Sequence, residues 1–128
     1  MIRYLLDTNV ISEVRKTRPH GAVTSWLETL QVEQIFISAV TIGELQTGVE
    51  LTRKRDPDKA AEIESWLIAV EMSYVFVPMD TACFREWARM VNGRSADLHV
   101  DGMIAATARV HGFIRATKRI SSLWGSAY

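Results

Sequence analysis

The chain has 128 residues, 48% of them apolar, and its fifteen basic side chains are balanced by fifteen acidic ones to a formal net charge of zero. That size suits one domain, residues 1–128, with an ordinary core. The balanced charge excludes a protein that attracts polyanions through its overall field, so any nucleic-acid site must be local.

Taken in order, the chain alternates strands and helices. It opens on the apolar run 2–6 and meets Asp7 too early for a secretory signal. No apolar run is long enough for a bilayer, so a soluble cytoplasmic protein is expected. Helical spacing follows over 22–30, a β-branched and aromatic run over 34–38, and helical spacing again over 41–51 and 57–70. The last two are split by a charged turn, Arg53-Lys54-Arg55-Asp56-Pro57-Asp58, whose Asp-Pro pair starts a helix, so an antiparallel hairpin is expected. Its Ile42, Leu45, Val49, Ile63, Leu67 and Val70 either pack inward or form the face of a dimerisation arm. A strand at 74–77, a helix at 81–91 with Phe84, Trp87, Ala88 and Val91 on one stripe, a helix at 98–111 and a strand at 113–116 complete the pattern. Strands separated by helices need crossovers, so the sheet is expected to be mostly parallel and covered on both faces. The single cysteine, Cys83, sits in the 81–91 stretch, excludes an intrachain disulfide, lacks zinc-site spacing and reads as a buried structural thiol.

Three acids stand where an apolar run gives way to helix-like sequence: Asp7 after Leu5-Leu6, Glu44 after Ile37-Ser38-Ala39-Val40, and Asp101 before Gly102-Met103-Ile104. Each has a local explanation. Asp7 could cap a helix, Glu44 could complete a capping box with Thr41, and Asp101 could complement a helix dipole. A shared explanation is stronger, because ligands of open α/β sheets collect beyond the strands' carboxyl ends and carboxylates placed beside apolar segments are costly unless paired. Clustered carboxylates repel, and a divalent cation relieves that repulsion. Oxygen-only donors favour Mg²⁺ or Mn²⁺ over zinc. Such an ion suits phosphodiester hydrolysis.

In this order, the blocks Leu6-Asp7-Thr8-Asn9-Val10-Ile11-Ser12, Ser38 to Gly48, Asp101 to Ala108, His111-Gly112 and Ala116-Thr117 resemble the PIN-domain ribonucleases, and among them the VapC-type toxins of toxin-antitoxin pairs. The resemblance covers nearly the whole chain. It implies an α/β fold, a PIN-like three-layer α/β/α sandwich with a mostly parallel four- or five-stranded sheet and a helix-hairpin arm. It also implies an endoribonuclease whose Asp7, Glu44 and Asp101 bind Mg²⁺ or Mn²⁺, acting on a structured RNA such as tRNA or rRNA. A homodimer inhibited by a VapB-type antitoxin, in a larger toxin-antitoxin assembly, completes the expectation.

The chain departs from the family where a fourth acid is usual. That position falls on Ser122, and a customary Asn is replaced by Arg119, which supports one metal site better than two. Asp97, one helical turn before Asp101, reads mainly as a helix-start residue. Thr8, Asn9, Ser38, Thr117 and Ser122 are candidates to orient carboxylates or water, with a strand-end hydrogen bond the competing role for Ser38 and Thr117. Phosphate contacts are assigned to Arg15 and to Lys118 and Arg119, with Arg115, Lys16, Arg18 and the turn at 53–55 as further local charge. Trp124 is the tryptophan placed to stack on a base or partner, whereas His99 reads as a helix-start residue. The absence of paired histidines predicts products with a 5′-phosphate and a 3′-hydroxyl. Two rivals are a haloacid-dehalogenase-like phosphatase using Asp7, where Asn9 replaces the usual second Asp, and a PIN-like interaction module that has lost turnover.

Overall fold

Parallel pairing sets the frame. The computed structural model describes residues 1–15, 21–93 and 99–117. Its elements run β1 (Tyr4–Leu6), α1 (Thr8–Arg15), α2 (Gly21–Glu28), a 3₁₀ turn (Val32–Gln34), β2 (Ile35–Ser38), α3 (Ala39–Arg53), α4 (Pro57–Ser73), β3 (Val75–Val77), α5 (Thr81–Val91), α6 (His99–His111) and β4 (Ile114–Ala116). The four strands form one sheet in the order β3-β2-β1-β4, with every pair parallel. Leu6 lies opposite Ile37 on one side and Ala116 on the other.

The strands are short but buried on both faces, which is why each reads as an unbroken apolar run. Alternation sorts their side chains. Tyr4, Leu6, Ile35 and Ile37 pack with Val10, Ile11, Val23, Trp26 and Val70 on the face carrying α1, α2 and α4. Leu5 and Val77 pack with Ile104 and Ala108 of α6 on the other, joined by the half-buried Phe36. Two helical layers thus enclose the sheet, the three-layer arrangement expected. Trp26 meets Tyr4 edge-on at 5.1 Å. No helix among the described residues is long and apolar enough to cross a membrane.

The structure revises the sequence reading locally. A helix not among the predicted segments, α1, follows β1 directly: the Asp7 carbonyl accepts from Val10 and Ile11 at 3.0 and 3.3 Å. Val10 and Ile11, both buried, carried the signal. The second strand starts at Ile35, because Gln34 closes the 3₁₀ turn onto Gln31 and spends its side-chain amide on the Ile2 carbonyl. Helix α3 starts at Ala39, earlier than expected, because Ser38 is its N-cap and accepts from the Val40 amide at 3.1 Å. Glu44 therefore lies beyond the first turn, and the capping box with Thr41 is not formed.

The expected hairpin is present as α3 and α4. Val49, Leu67 and Val70 are buried, Ile42, Leu45 and Ile63 half-buried, while Ile68 and Met72 stay exposed. Asp56 caps α4 through the Lys59 amide, with Pro57 at its first position. Across the pair, Glu64 accepts from Gln46 at 2.8 Å and from Arg53 at 2.9 Å, and Arg53 also meets Glu50. Gln46, then Arg53, hold the Glu64 carboxyl below its ordinary range, and Arg53, then Gln46, do so for Glu50. A carboxyl depressed by folding contributes stability at pH values above its unfolded pKa, lost as the pH falls through the folded one. Glu64→Gln is therefore expected to lower the melting temperature slightly at neutral pH, and thermal melts in acid should show the gap closing.

Candidate active site

Three elements bring the sequence-predicted acids to one end of the sheet. Asp7 follows β1, its amide donating to the Ala116 carbonyl at 2.8 Å, which locks its backbone between β1 and β4. Asp101 lies in the first turn of α6 and Glu44 on α3. Asp7 is buried, whereas the Asp101 side chain is 64% exposed. One group links two of them: the Nη2 of Arg115 donates to Asp7 Oδ1 and to Asp101 Oδ1, each at 3.0 Å. The third acid is held separately. Thr8 Oγ1 donates to Glu44 Oε1 at 2.5 Å and lies 3.1 Å from Thr41 Oγ1.

Arg115, counted from the sequence among the local charges that could neutralise RNA phosphates, is engaged here with two carboxylates. It lies opposite Leu5 in the β1–β4 register, and Leu5 belongs to the face covered by α6. Its side chain therefore projects beside the helix that carries Asp101. Its Nε is buried and has no hydrogen-bond partner among the described residues. A cleft of about 360 Å³ opens alongside, lined by Met90, Val91, Asp101, Gly102, Arg109 and Arg115.

Other predicted residues divide. Thr8 contacts Glu44 through its hydroxyl. Ser38 is buried and caps α3, the strand-end role offered as its alternative. Asn9 is exposed and Thr117 half-buried just beyond β4. Arg15 stacks its guanidinium 5.9 Å from the Trp66 ring and, with Ser12 and Glu44, lines a pocket of about 160 Å³. His99 begins α6, and its carbonyl accepts from Trp87 Nε1 at 3.0 Å. Ser122, Lys118, Arg119, Asp97, Trp124, Lys16 and Arg18 lie outside the described residues.

That Trp87 bond ties α5 to the start of α6, and Gly102 lets the two helices meet there. A Cβ on Gly102 would stand 2.7 Å from Val91 Cγ1 and 3.2 Å from Trp87 Cδ1. Gly102→Ala must displace the Val91 side chain, or the helices from each other, next to Asp101. The expected loss is about 1–3 kcal/mol of stability, measured by denaturant unfolding.

A separate group of side chains with metal-ligand chemistry was invisible to spacing rules. Asp80, Cys83 and His111 place one ligand atom each within 4.8 Å of one another, a set that could hold a metal ion. Cys83 is fully buried, as expected, and burial pushes its thiol pKa up. Asp80 caps α5 through the Cys83 amide at 2.9 Å, which holds its carboxyl below the usual range, and lies 3.5 Å from His111 Nε2. His111 ends α6, about 15 Å along the helix from Asp101.

A parallel sheet between helical layers, with an acid just past β1 and others on α3 and α6 at one end, defines an α/β protein with a carboxylate cluster at that end of its sheet. The comparisons make this specific. The PIN domain family matches residues 4–118, and the chain belongs to that family. It is 33% identical to plasmid stability protein StbB of Pseudomonas syringae over 89% of this chain and 86% of that protein. It is 34% identical to a VapC ribonuclease of Sinorhizobium fredii, over 91% and 87%. Toxin FitB of Neisseria gonorrhoeae is 32% identical over 95% and 91%. The crystal structure of FitAcB from Neisseria gonorrhoeae superposes with a TM-score of 0.78 at 30% identity, covering 97% of this chain and 93% of that one. A toxin-antitoxin complex from Klebsiella pneumoniae shares the fold, with a TM-score of 0.68 at 20% identity over 90% and 85%. The phosphatase reading gains no support from this family.

Proposed function

We propose that this chain, acting as one unit over residues 1–128, is a Mg²⁺- or Mn²⁺-dependent endoribonuclease. It serves as the toxin of a toxin-antitoxin pair in the cytoplasm, as a homodimer restrained by a VapB-type antitoxin. The observation that carries the reading is the sharing of one guanidinium nitrogen by Asp7 and Asp101, at 3.0 Å each. Relatives named VapC ribonuclease and Toxin FitB support it. Two carboxylates from distant parts of the chain gathered around positive charge, with a third on the neighbouring α3, form a donor set that fits a hard divalent cation.

Asp7, Glu44 and Asp101 would hold the ion. When bound, it supplies Lewis acidity toward the scissile phosphate and lowers the pKa of an attacking water. The chain's own groups do the positioning. Thr8 fixes the Glu44 carboxylate, and the Ser38 cap fixes the helix that carries it. The amide of Asp7, bound to Ala116, sets where its carboxylate leaves the sheet. Arg15, beside Glu44, would bind phosphate, and Lys118 and Arg119 would extend that surface; Asn9, Thr117 and Ser122 would orient water. A structured RNA such as tRNA or rRNA is the proposed substrate.

The test is incubation of purified, antitoxin-free protein with total cellular RNA, with Mg²⁺, with Mn²⁺ and with chelator, followed by mapping of the ends. Discrete metal-dependent cuts leaving 5′-phosphate and 3′-hydroxyl are expected. Cuts that survive chelation would remove the metal from the reading, and RNA binding without cutting would favour an interaction module.

A further inference from the structure

We propose that Arg115 is a resident counter-ion that competes with the divalent cation for Asp7 and Asp101, so that it sets metal affinity. When displaced, it swings into the adjoining cleft to meet substrate phosphate. The inference rests on the metal-dependent reading above and concerns this chain's own arginine.

Four observations carry it. The guanidinium nitrogen donates to Asp7 Oδ1 and Asp101 Oδ1 at 3.0 Å each, the position a shared cation would compete for. Among the described residues, Asp7, Glu44 and Asp101 do not form a group with one ligand oxygen each within 4.8 Å of one another, and the arginine lies between two of them. The Arg115 Nε is buried without a hydrogen-bond partner among the described residues. An arginine in its final position ordinarily satisfies such a donor, because an unmet buried donor is costly. Finally, Arg115 already lines a cleft of about 360 Å³, which gives the side chain somewhere to go while its backbone stays paired in the sheet.

Charge makes the two states exclusive. A guanidinium and a divalent cation against the same two oxygens repel across a few ångströms, whereas a phosphate in the cleft would attract the released arginine. Metal binding and substrate binding then reinforce each other, because each favours the same outward position of Arg115.

The experiment is calorimetric titration of Mn²⁺ into the full-length protein and into Arg115→Gln and Arg115→Lys, each checked for native circular dichroism. Gln keeps a hydrogen-bond donor without charge, and Lys keeps the charge. Arg115→Gln is expected to bind Mn²⁺ about tenfold more tightly, with Arg115→Lys close to the parent. It should also raise the KM for RNA, since the phosphate contact is gone. Unchanged or weaker Mn²⁺ affinity in Arg115→Gln would overturn the inference, because an arginine that only braces the carboxylates would weaken binding when removed. Equal tightening by Gln and Lys would overturn it too, since charge would then not be the cause. Absence of Mn²⁺ binding in all three proteins would overturn the metal-dependent reading along with it.

Discussion

Asp101→Asn is expected to reduce RNA cleavage by at least about 100-fold while leaving the protein folded. The side chain is 64% exposed at the start of α6, and its one described bond is to an arginine that keeps a second carboxylate. Exposed ion pairs contribute little to stability, so unfolding free energy should change by no more than about 1 kcal/mol. Asp7→Asn should lose cleavage to the same extent with a larger structural effect, since that carboxylate is buried. Breaking a buried pair costs about 3–5 kcal/mol when one charge is left alone. Here Arg115 retains Asp101, and Asn still offers an acceptor, so a loss nearer about 1–2 kcal/mol is expected. Cleavage rates and denaturant unfolding on the same two preparations separate the effects. Continued cleavage by both variants would sink the assignment of these carboxylates.

Trp26→Ala should produce the largest loss of stability, about 3–5 kcal/mol. Trp26 is 1% exposed, anchors α2 to the sheet and meets Tyr4 edge-on, so its removal opens a cavity beneath β1. Domains of this size are stable by only about 5–15 kcal/mol, so the variant should be partly unfolded near its working temperature or shifted far down in denaturant midpoint. Cleavage would fall only in proportion to the folded fraction. A midpoint within about 1 kcal/mol of the parent would mean that α2 contributes much less than its burial implies.

The two predictions draw on different kinds of information. The helical segment 22–30 that carries Trp26 was legible from periodicity, and so were the four strands, because strands covered on both faces need continuous apolar runs. The hairpin was legible from Asp56-Pro57, where capping chemistry leaves a mark in three or four consecutive residues. Helix α1 escaped because Val10, Ile11 and Val14 follow Asp7 so closely that the segment read as part of the acidic motif. Glu44 was placed correctly beyond β2, yet its local role depended on where α3 starts, and Ser38 decided that.

By itself, the sequence determined the alternation of strands and helices, the parallel sheet and the delivery of Asp7, Glu44 and Asp101 to places where strands give way to helices, because each depends on a residue and its near neighbours. Only the tertiary structure decided what those acids face. Arg115 reaches Asp7 through the β1–β4 register and Asp101 through the packing of α6 on that face, and Cys83 and His111 meet because α5 and α6 lie side by side. Contacts between residues far apart in the chain leave no spacing to read. Their energies come from charges and donors that become neighbours only after the sheet has closed.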